Sequence, residues 1–225
     1  MITTTFSLES ELQTFSAEFE RIASADARAA TERFIAELAA SRKGQPSLKA
    51  GEAAPHFTLS DRNGTKVSLI DLVRQGPVVI SFFRGRWCSY CSLELRALER
   101  ALPVFEDLGA SLVAISPEKS NVGLTGAVPQ KIAMPILHDQ GNSVAALFGI
   151  TFDLSEELRT IYRHFGHDLP AINDTGNWIL PIPATFVVDS GGIIQFASVD
   201  PDYRNRPEPA TIEKILRGIS EWAGD

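Results

Sequence analysis

The chain has 225 residues, of which 44% are hydrophobic and 22% charged, with 16 Gly, 13 Pro and 2 Cys. A chain of this length can bury a substantial core without disulfide staples, and two cysteines cannot build a disulfide framework, so one domain with an appendage is expected. The 28 acidic and 21 basic residues give a formal charge of −7, which disfavours nucleic acid and anionic lipid as partners.

From Ser7 to about Arg42 the sequence is rich in Ala, Glu, Leu and Arg. Leu8, Leu12, Phe15, Phe19 and Ile22 recur at helical spacing, which predicts one long helix or two shorter ones. Gly44 and Pro46 end this segment, and Arg42 and Lys43 lie where cations suit a helix C-terminus. It reads as a helical extension over residues 1–48 packed on the main domain, with a dimerisation arm as the alternative. After Gly51 short apolar runs alternate with amphipathic stretches, the signature of βα units in a domain covering 49–225. His56–Leu59 and Lys66–Leu69 flank the turn Asp61-Arg62-Asn63-Gly64 as a hairpin. Val78–Phe83 reads as a buried strand, Cys91–Leu108 as an amphipathic helix, and Ser111–Ser116 as the next strand. A weaker helix is expected around Asn121–Ile132, a short strand at Met134–Leu137 and a short helix at Ser143–Phe148. Between Ile150 and Pro181 lies a long segment with a helical pattern at Ser155–Phe165, and its length suggests a lid or binding loop. Thr185–Asp189 and Ile193–Ala197 form a second hairpin across Ser190-Gly191-Gly192, and a helix from Pro209 to Trp222 closes the domain. No apolar run approaches the roughly 20 residues of a membrane span. A basic start followed by an apolar segment is missing near Met1, so the expected location is cytoplasmic.

The chemistry concentrates in Phe82-Phe83-Arg84-Gly85-Arg86-Trp87-Cys88-Ser89-Tyr90-Cys91, where a Cys-x-x-Cys falls at a strand-to-helix junction. The free N–H groups of a helix start stabilise a thiolate at Cys88, and Arg84 and Arg86 would add positive potential. Such a thiolate attacks a peroxide or disulfide, and the second cysteine resolves the intermediate. Three other readings compete: a zinc site drawing on His164 and His167, two cysteines that merely pack, and a catalytically silent redox fold. Zinc is disfavoured because four ligands are needed and the histidine spacing is one residue short of a helical pair. Downstream, Leu180-Pro181-Ile182-Pro183-Ala184-Thr185-Phe186 places Pro183 just before a buried strand, where a bend with a cis peptide is expected.

Strand, Trp-Cys-x-x-Cys, helix and X-Pro-x-Thr-Phe-strand together resemble the thioredoxin fold. The segment from about Lys49 to Trp222 resembles the alkyl hydroperoxide reductase/thiol-specific antioxidant, or peroxiredoxin-like, family. Gly51-Glu52-Ala53-Ala54-Pro55-His56-Phe57 is similar to the family's opening strand. The family pattern Pro-x-x-x-Thr-x-x-Cys-x-x-Glu places its peroxidatic Cys on Cys91 and its Glu on Glu94, but its Pro on Arg84 and its Thr on Cys88. The Arg that the family places before the Thr-Phe strand falls on Pro183. The resemblance implies an α/β thioredoxin-like fold, a central mixed sheet flanked by helices, beside the N-terminal helical extension.

The expected activity is that of a thiol-dependent peroxidase reducing hydroperoxides through a Cys88/Cys91 disulfide, recycled by a thioredoxin- or glutathione-type reductant, with no metal or organic cofactor. A protein disulfide reductase using the same pair is the alternative, followed by a redox sensor or zinc-stabilised module without enzymatic activity; a homodimer is admitted. Helix-terminus physics favours Cys88 as the attacking thiol, whereas the family pattern favours Cys91. Arg84, Trp87, Glu94, Pro183 and Thr185 are expected to shape the site, with Trp87 shielding the thiols and a plain core tryptophan as its alternative. His138 reads as a satisfied surface residue rather than a proton shuttle. The run Asp200–Pro207 reads as a loop with solvated charges in which Tyr203 and Arg204 can border the site. The 151–180 segment, with His164, His167 and Trp178, is a candidate cap.

Overall fold

The computed structural model describes residues 7–41, 47–119 and 132–222. Two helices open the chain, α1 (Leu8–Ile22) and α2 (Ala25–Ser41). Ser7 caps α1 by accepting from the Ser10 N–H, and Glu9 and Glu11 lie in the first turn, where carboxylates oppose the helix dipole favourably. Leu8 and Leu12 of α1 and Ala30, Phe34 and Leu38 of α2 are buried. The expected cationic helix end at Arg42 and Lys43, and most of the expected helix around Asn121–Ile132, lie outside the described residues; Ile132 itself is not helical.

The main body is built on a mixed seven-stranded sheet. Its strands are β1 (Thr58–Asp61), β2 (Lys66–Ser68), β3 (Val78–Phe82), β4 (Ser111–Ser116), β5 (Ile136–His138), β8 (Ala184–Val188) and β9 (Ile194–Val199), in the order β2-β1-β5-β4-β3-β8-β9. β3, β4 and β5 run parallel, while β8 pairs antiparallel with β3 and with β9. The β1–β2 turn forms because Asp61 Oδ1 accepts from the N–H groups of Asn63 and Thr65, both at 2.8 Å, and Gly64 supplies φ +83°. The helices are α3 (Leu69–Val73), α4 (Ser89–Asp107), α5 (Ser143–Leu147), α6 (Glu156–His164), α7 (Leu169–Ile172) and α8 (Pro209–Trp222). No described helix is long and apolar enough to cross a membrane.

Because side chains alternate across a strand, the sheet carries a core on each face. Val78, Ile80 and Phe82 of β3 join Phe148, Phe186 and the 150–182 segment on one side. Val79 and Phe83 join Leu95, Leu98, Ile212 and the α1 leucines on the other. Every residue of β3 and β8, neighbouring interior strands of the sheet, is buried. The 151–180 segment is more ordered than a loop. Two short strands the sequence reading did not anticipate, β6 (Thr151–Asp153) and β7 (Ile179–Pro181), pair antiparallel at its base, with α6 and α7 between them. Pro183 is buried between β7 and β8, and its peptide bond is trans, contrary to the cis expectation. The extended β7 strand delivers the chain directly to β8, and the Ile182 N–H bonds the Ile150 carbonyl at 2.7 Å, so no tight turn is needed here.

Candidate active site

Leaving β3, the chain passes through Arg84-Gly85-Arg86-Trp87 and enters α4 with Cys88 as the N-cap, at φ −87° and ψ 110°. Cys88 is 3% exposed and Cys91 is fully buried; neither is in a disulfide. The loop closes on itself where the Cys88 N–H donates to the Gly85 carbonyl at 3.1 Å. Gly85, at φ +150°, is required for a steric reason as well. A Cβ there would lie 2.3 Å from the Trp87 indole nitrogen, so only glycine lets the indole fold back over the loop.

Two guanidinium groups reach the two sulfurs. Arg84 Nη2 donates to Cys88 Sγ at 2.9 Å, and Arg206 Nη2 lies 3.7 Å from Cys91 Sγ. The thiols also bond each other, the Cys91 S–H donating to the Cys88 sulfur. Burial by itself pushes the Cys88 thiol up, but the hydrogen bond from Cys91 and the charges of Arg84 and Arg206 outweigh it and hold Cys88 well below the ordinary range. Cys91 is pushed well above that range by burial, by donating to Cys88 and by the negative charge of Cys88. The two thiols are therefore pushed apart, Cys88 down and Cys91 up, the same direction helix-terminus physics gives but here through Arg84, Arg206 and the Cys91 hydrogen bond.

Beneath the thiols lies a buried ion pair. Glu94 accepts from Arg206 Nε at 2.6 Å and from the Thr185 hydroxyl at 3.3 Å, and both charged side chains are 1% exposed. Burial pushes the Glu94 carboxyl up, with Arg206 and Thr185 acting in the opposite direction. Arg206 Nη1 also donates to the carbonyls of Tyr203 and Asn205, which fixes the guanidinium in its loop. This residue was missed: the 200–207 loop was expected to carry solvated charges, yet Arg206 is buried. Nothing local in the sequence marks it, because its partner Glu94 lies 112 positions away. Arg204 turns away to Glu32 at 2.6 Å and Asp202 at 2.8 Å.

Aromatic rings enclose the upper side. Trp87 meets Tyr162 and His167 of the 151–180 segment at centroid distances of 5.5 and 5.0 Å, so that segment packs against the loop carrying Cys88. Burial lowers the half-buried His167 below the ordinary imidazole range. Several other sequence-predicted residues lie elsewhere. Arg86 is engaged by Glu118 through its backbone N–H and Nε, both at 2.9 Å, so its charge is offset rather than directed at the sulfurs. His164 is exposed beside Phe165, and Trp178 is buried under Arg163. His138 is half-buried in β5 with Nε2 enclosed and unpartnered, not a satisfied surface residue. No group of three or more metal-ligating side chains occurs among the described residues.

Comparison with known proteins agrees with this architecture. The sequence model of the AhpC/TSA family matches residues 50–197. A putative chloroplastic peroxiredoxin Q of Oryza sativa subsp. indica is 28% identical over 159 residues, 71% of this chain and 60% of the relative. The thiol-disulfide oxidoreductase ResA of Bacillus thuringiensis (strain Al Hakam) is 26% identical over 104 residues, 46% of this chain and 59% of that protein. The chain thus spans about three fifths of the length of these curated relatives. Among solved structures, peroxidoxin BcpB from Mycobacterium tuberculosis superposes with a TM-score of 0.58 at 23% identity, over 76% of this chain and 98% of that one, a likeness of fold. Since the match takes in the sheet from β1 into β9, both cysteines and Glu94, the chain belongs to the AhpC/TSA family.

Proposed function

We propose that the protein is a thiol-dependent peroxidase that reduces hydroperoxides, with Cys88 attacking and Cys91 resolving. The observation that carries this reading is the asymmetry of the pair: Arg84 Nη2 lies 2.9 Å from Cys88 Sγ and lowers that thiol, while burial and its hydrogen bond to Cys88 raise Cys91. The Cys88 thiolate attacks one peroxide oxygen, the O–O bond breaks, and the alkoxide or hydroxide leaves and takes up a proton; Cys88 becomes a sulfenic acid. Cys91 then attacks the sulfenic sulfur, water leaves, and the Cys88–Cys91 disulfide forms. An external dithiol, or two molecules of a monothiol, returns the pair to the reduced state; a thioredoxin- or glutathione-type reductant fits this step. A reducing compartment such as the cytoplasm suits the cycle.

Two observations favour a peroxide over a protein disulfide as oxidant. Both sulfurs are buried, which admits a small molecule more readily than another protein's disulfide. The similarity to the protein named peroxiredoxin Q also spans 71% of the chain, against 46% for the one named ResA. Disulfide reduction is the second reading, supported by the Cys-x-x-Cys and the ResA similarity. The test presents reduced protein in parallel with hydrogen peroxide, an organic hydroperoxide and a disulfide substrate. Consumption of either peroxide no faster than by free cysteine would sink the peroxidase reading, and rapid disulfide turnover would install the second.

A further inference from the structure

Arg84 is a buried cation, 3% exposed, and no carboxylate pairs with it among the described residues. Its guanidinium donates through Nη2 to Cys88 and through Nη1 to the Tyr162 hydroxyl at 3.0 Å, leaves Nε buried without a partner, and lies 3.9 Å from the centroid of the Tyr203 ring. A guanidinium normally takes its orientation from a bidentate carboxylate. Here two phenol side chains take that part, one through a hydrogen bond and one through its face.

The tyrosines come from segments far apart in sequence, and the N-terminal helices engage both. Glu208, at the end of the loop carrying Tyr203, accepts from the Ser7 hydroxyl at 2.8 Å and from the N–H groups of Leu8 and Glu9 at 3.2 and 2.7 Å, which ties the loop to the start of α1. Tyr203 rests edge-on against Tyr90, and Tyr90 against Phe15 of α1. On the other side, Arg33 of α2 pairs with Glu157 of α6, the helix carrying Tyr162, and Phe34 packs on Phe152.

We propose that Tyr203 and Tyr162 are positioning residues that aim the Arg84 guanidinium at the Cys88 sulfur, and that the N-terminal helical pair serves the redox centre by holding the two segments that carry them. The inference rests on the reading of Cys88 as the attacking thiolate. It assigns the N-terminal helices, which lie outside the matched family segment of 50–197, a part in setting thiol reactivity.

The test measures the rate of iodoacetamide alkylation against pH in a Cys91→Ser background, where Cys88 is the chain's remaining thiol. The other titratable and charged groups around it, Arg206, Glu94, His167, Tyr90, Tyr162 and Tyr203, stay unchanged except where substituted. Arg84→Met sets the scale. Tyr203→Leu is expected to slow alkylation below the midpoint by about tenfold, equivalent to about one pH unit in the midpoint, whereas Tyr203→Phe keeps the ring and stays within about twofold. Tyr162→Phe and Glu208→Gln are each expected to slow it about threefold with unchanged far-ultraviolet circular dichroism. If Arg84→Met moves the midpoint and Tyr203→Leu does not, the positioning role is overturned while the thiolate reading stands. If Arg84→Met itself has no effect, the thiolate reading falls first. Should Tyr203→Leu fail to fold, unchanged midpoints in both Tyr162→Phe and Glu208→Gln overturn the proposal.

Discussion

Replacing Arg206 by methionine tests the buried charge balance beneath the thiols. The substitution leaves the Glu94 carboxylate, 1% exposed, with only the Thr185 hydroxyl as a partner. An uncompensated buried charge of this kind costs about 3–5 kcal/mol. Protonation limits the cost, because Glu94 can take up a proton instead. Moving a glutamate from its ordinary 4.5 to neutrality at pH 7 costs about 3.4 kcal/mol, at about 1.4 kcal/mol per pH unit. Arg206→Met is therefore expected to lose roughly 3 kcal/mol at pH 7, and the loss should shrink by at most about 1.4 kcal/mol for each unit the pH is lowered toward 5. The sign follows from proton counting. The folded variant holds a proton on Glu94 that the unfolded chain has released, so its stability falls as pH rises above the ordinary glutamate value. Urea denaturation of both proteins at pH 5, 6, 7 and 8 measures the difference directly, and Arg206→Met/Glu94→Gln should flatten it. A loss in Arg206→Met that does not change with pH would show that Glu94 takes up no proton when its cation is removed, and the reasoning fails.

Mass spectrometry after one equivalent of hydrogen peroxide should find a trapped sulfenic acid on Cys88 in Cys91→Ser and little oxidation in Cys88→Ser; the reverse pattern makes Cys91 the attacking thiol. Stability of the reduced protein should rise with pH across the interval between the depressed folded value of Cys88 and the usual 9.0, because there the unfolded chain binds the extra proton. The same stability is lost as pH falls through the folded value, and a thermal melting series on Cys88→Ser should lack this rise. Cys91 acts in the opposite sense and only above pH 9, its folded value being raised. Gly85→Ala places a methyl 2.3 Å from the Trp87 indole nitrogen; displacing the ring should cost roughly 1–3 kcal/mol in urea denaturation, and an unchanged midpoint would remove the steric role assigned to Gly85.

The strand-to-helix junction at Cys88, the buried β3 and β8 strands and both hairpins were legible in the sequence because each is a local pattern. Alternation, turn residues and a capping position all lie within a few residues of one another. β6 and β7 were not legible, since three-residue strands have too little periodicity to stand out and form only because residues 151–153 and 179–181 meet. Read without coordinates, two cysteines in one four-residue window already require that a thiol redox cycle close on Cys88 and Cys91 or recruit a thiol from outside the chain. How the two thiols are pushed apart depends on packing that brings distant charges to them. Arg206 reaches Cys91 across 115 positions and Glu94 across 112, and Tyr162 reaches Arg84 across 78. A buried ion pair between a helix and a distant loop leaves no periodic trace, because its cause is the desolvated space the fold encloses rather than any neighbour along the chain.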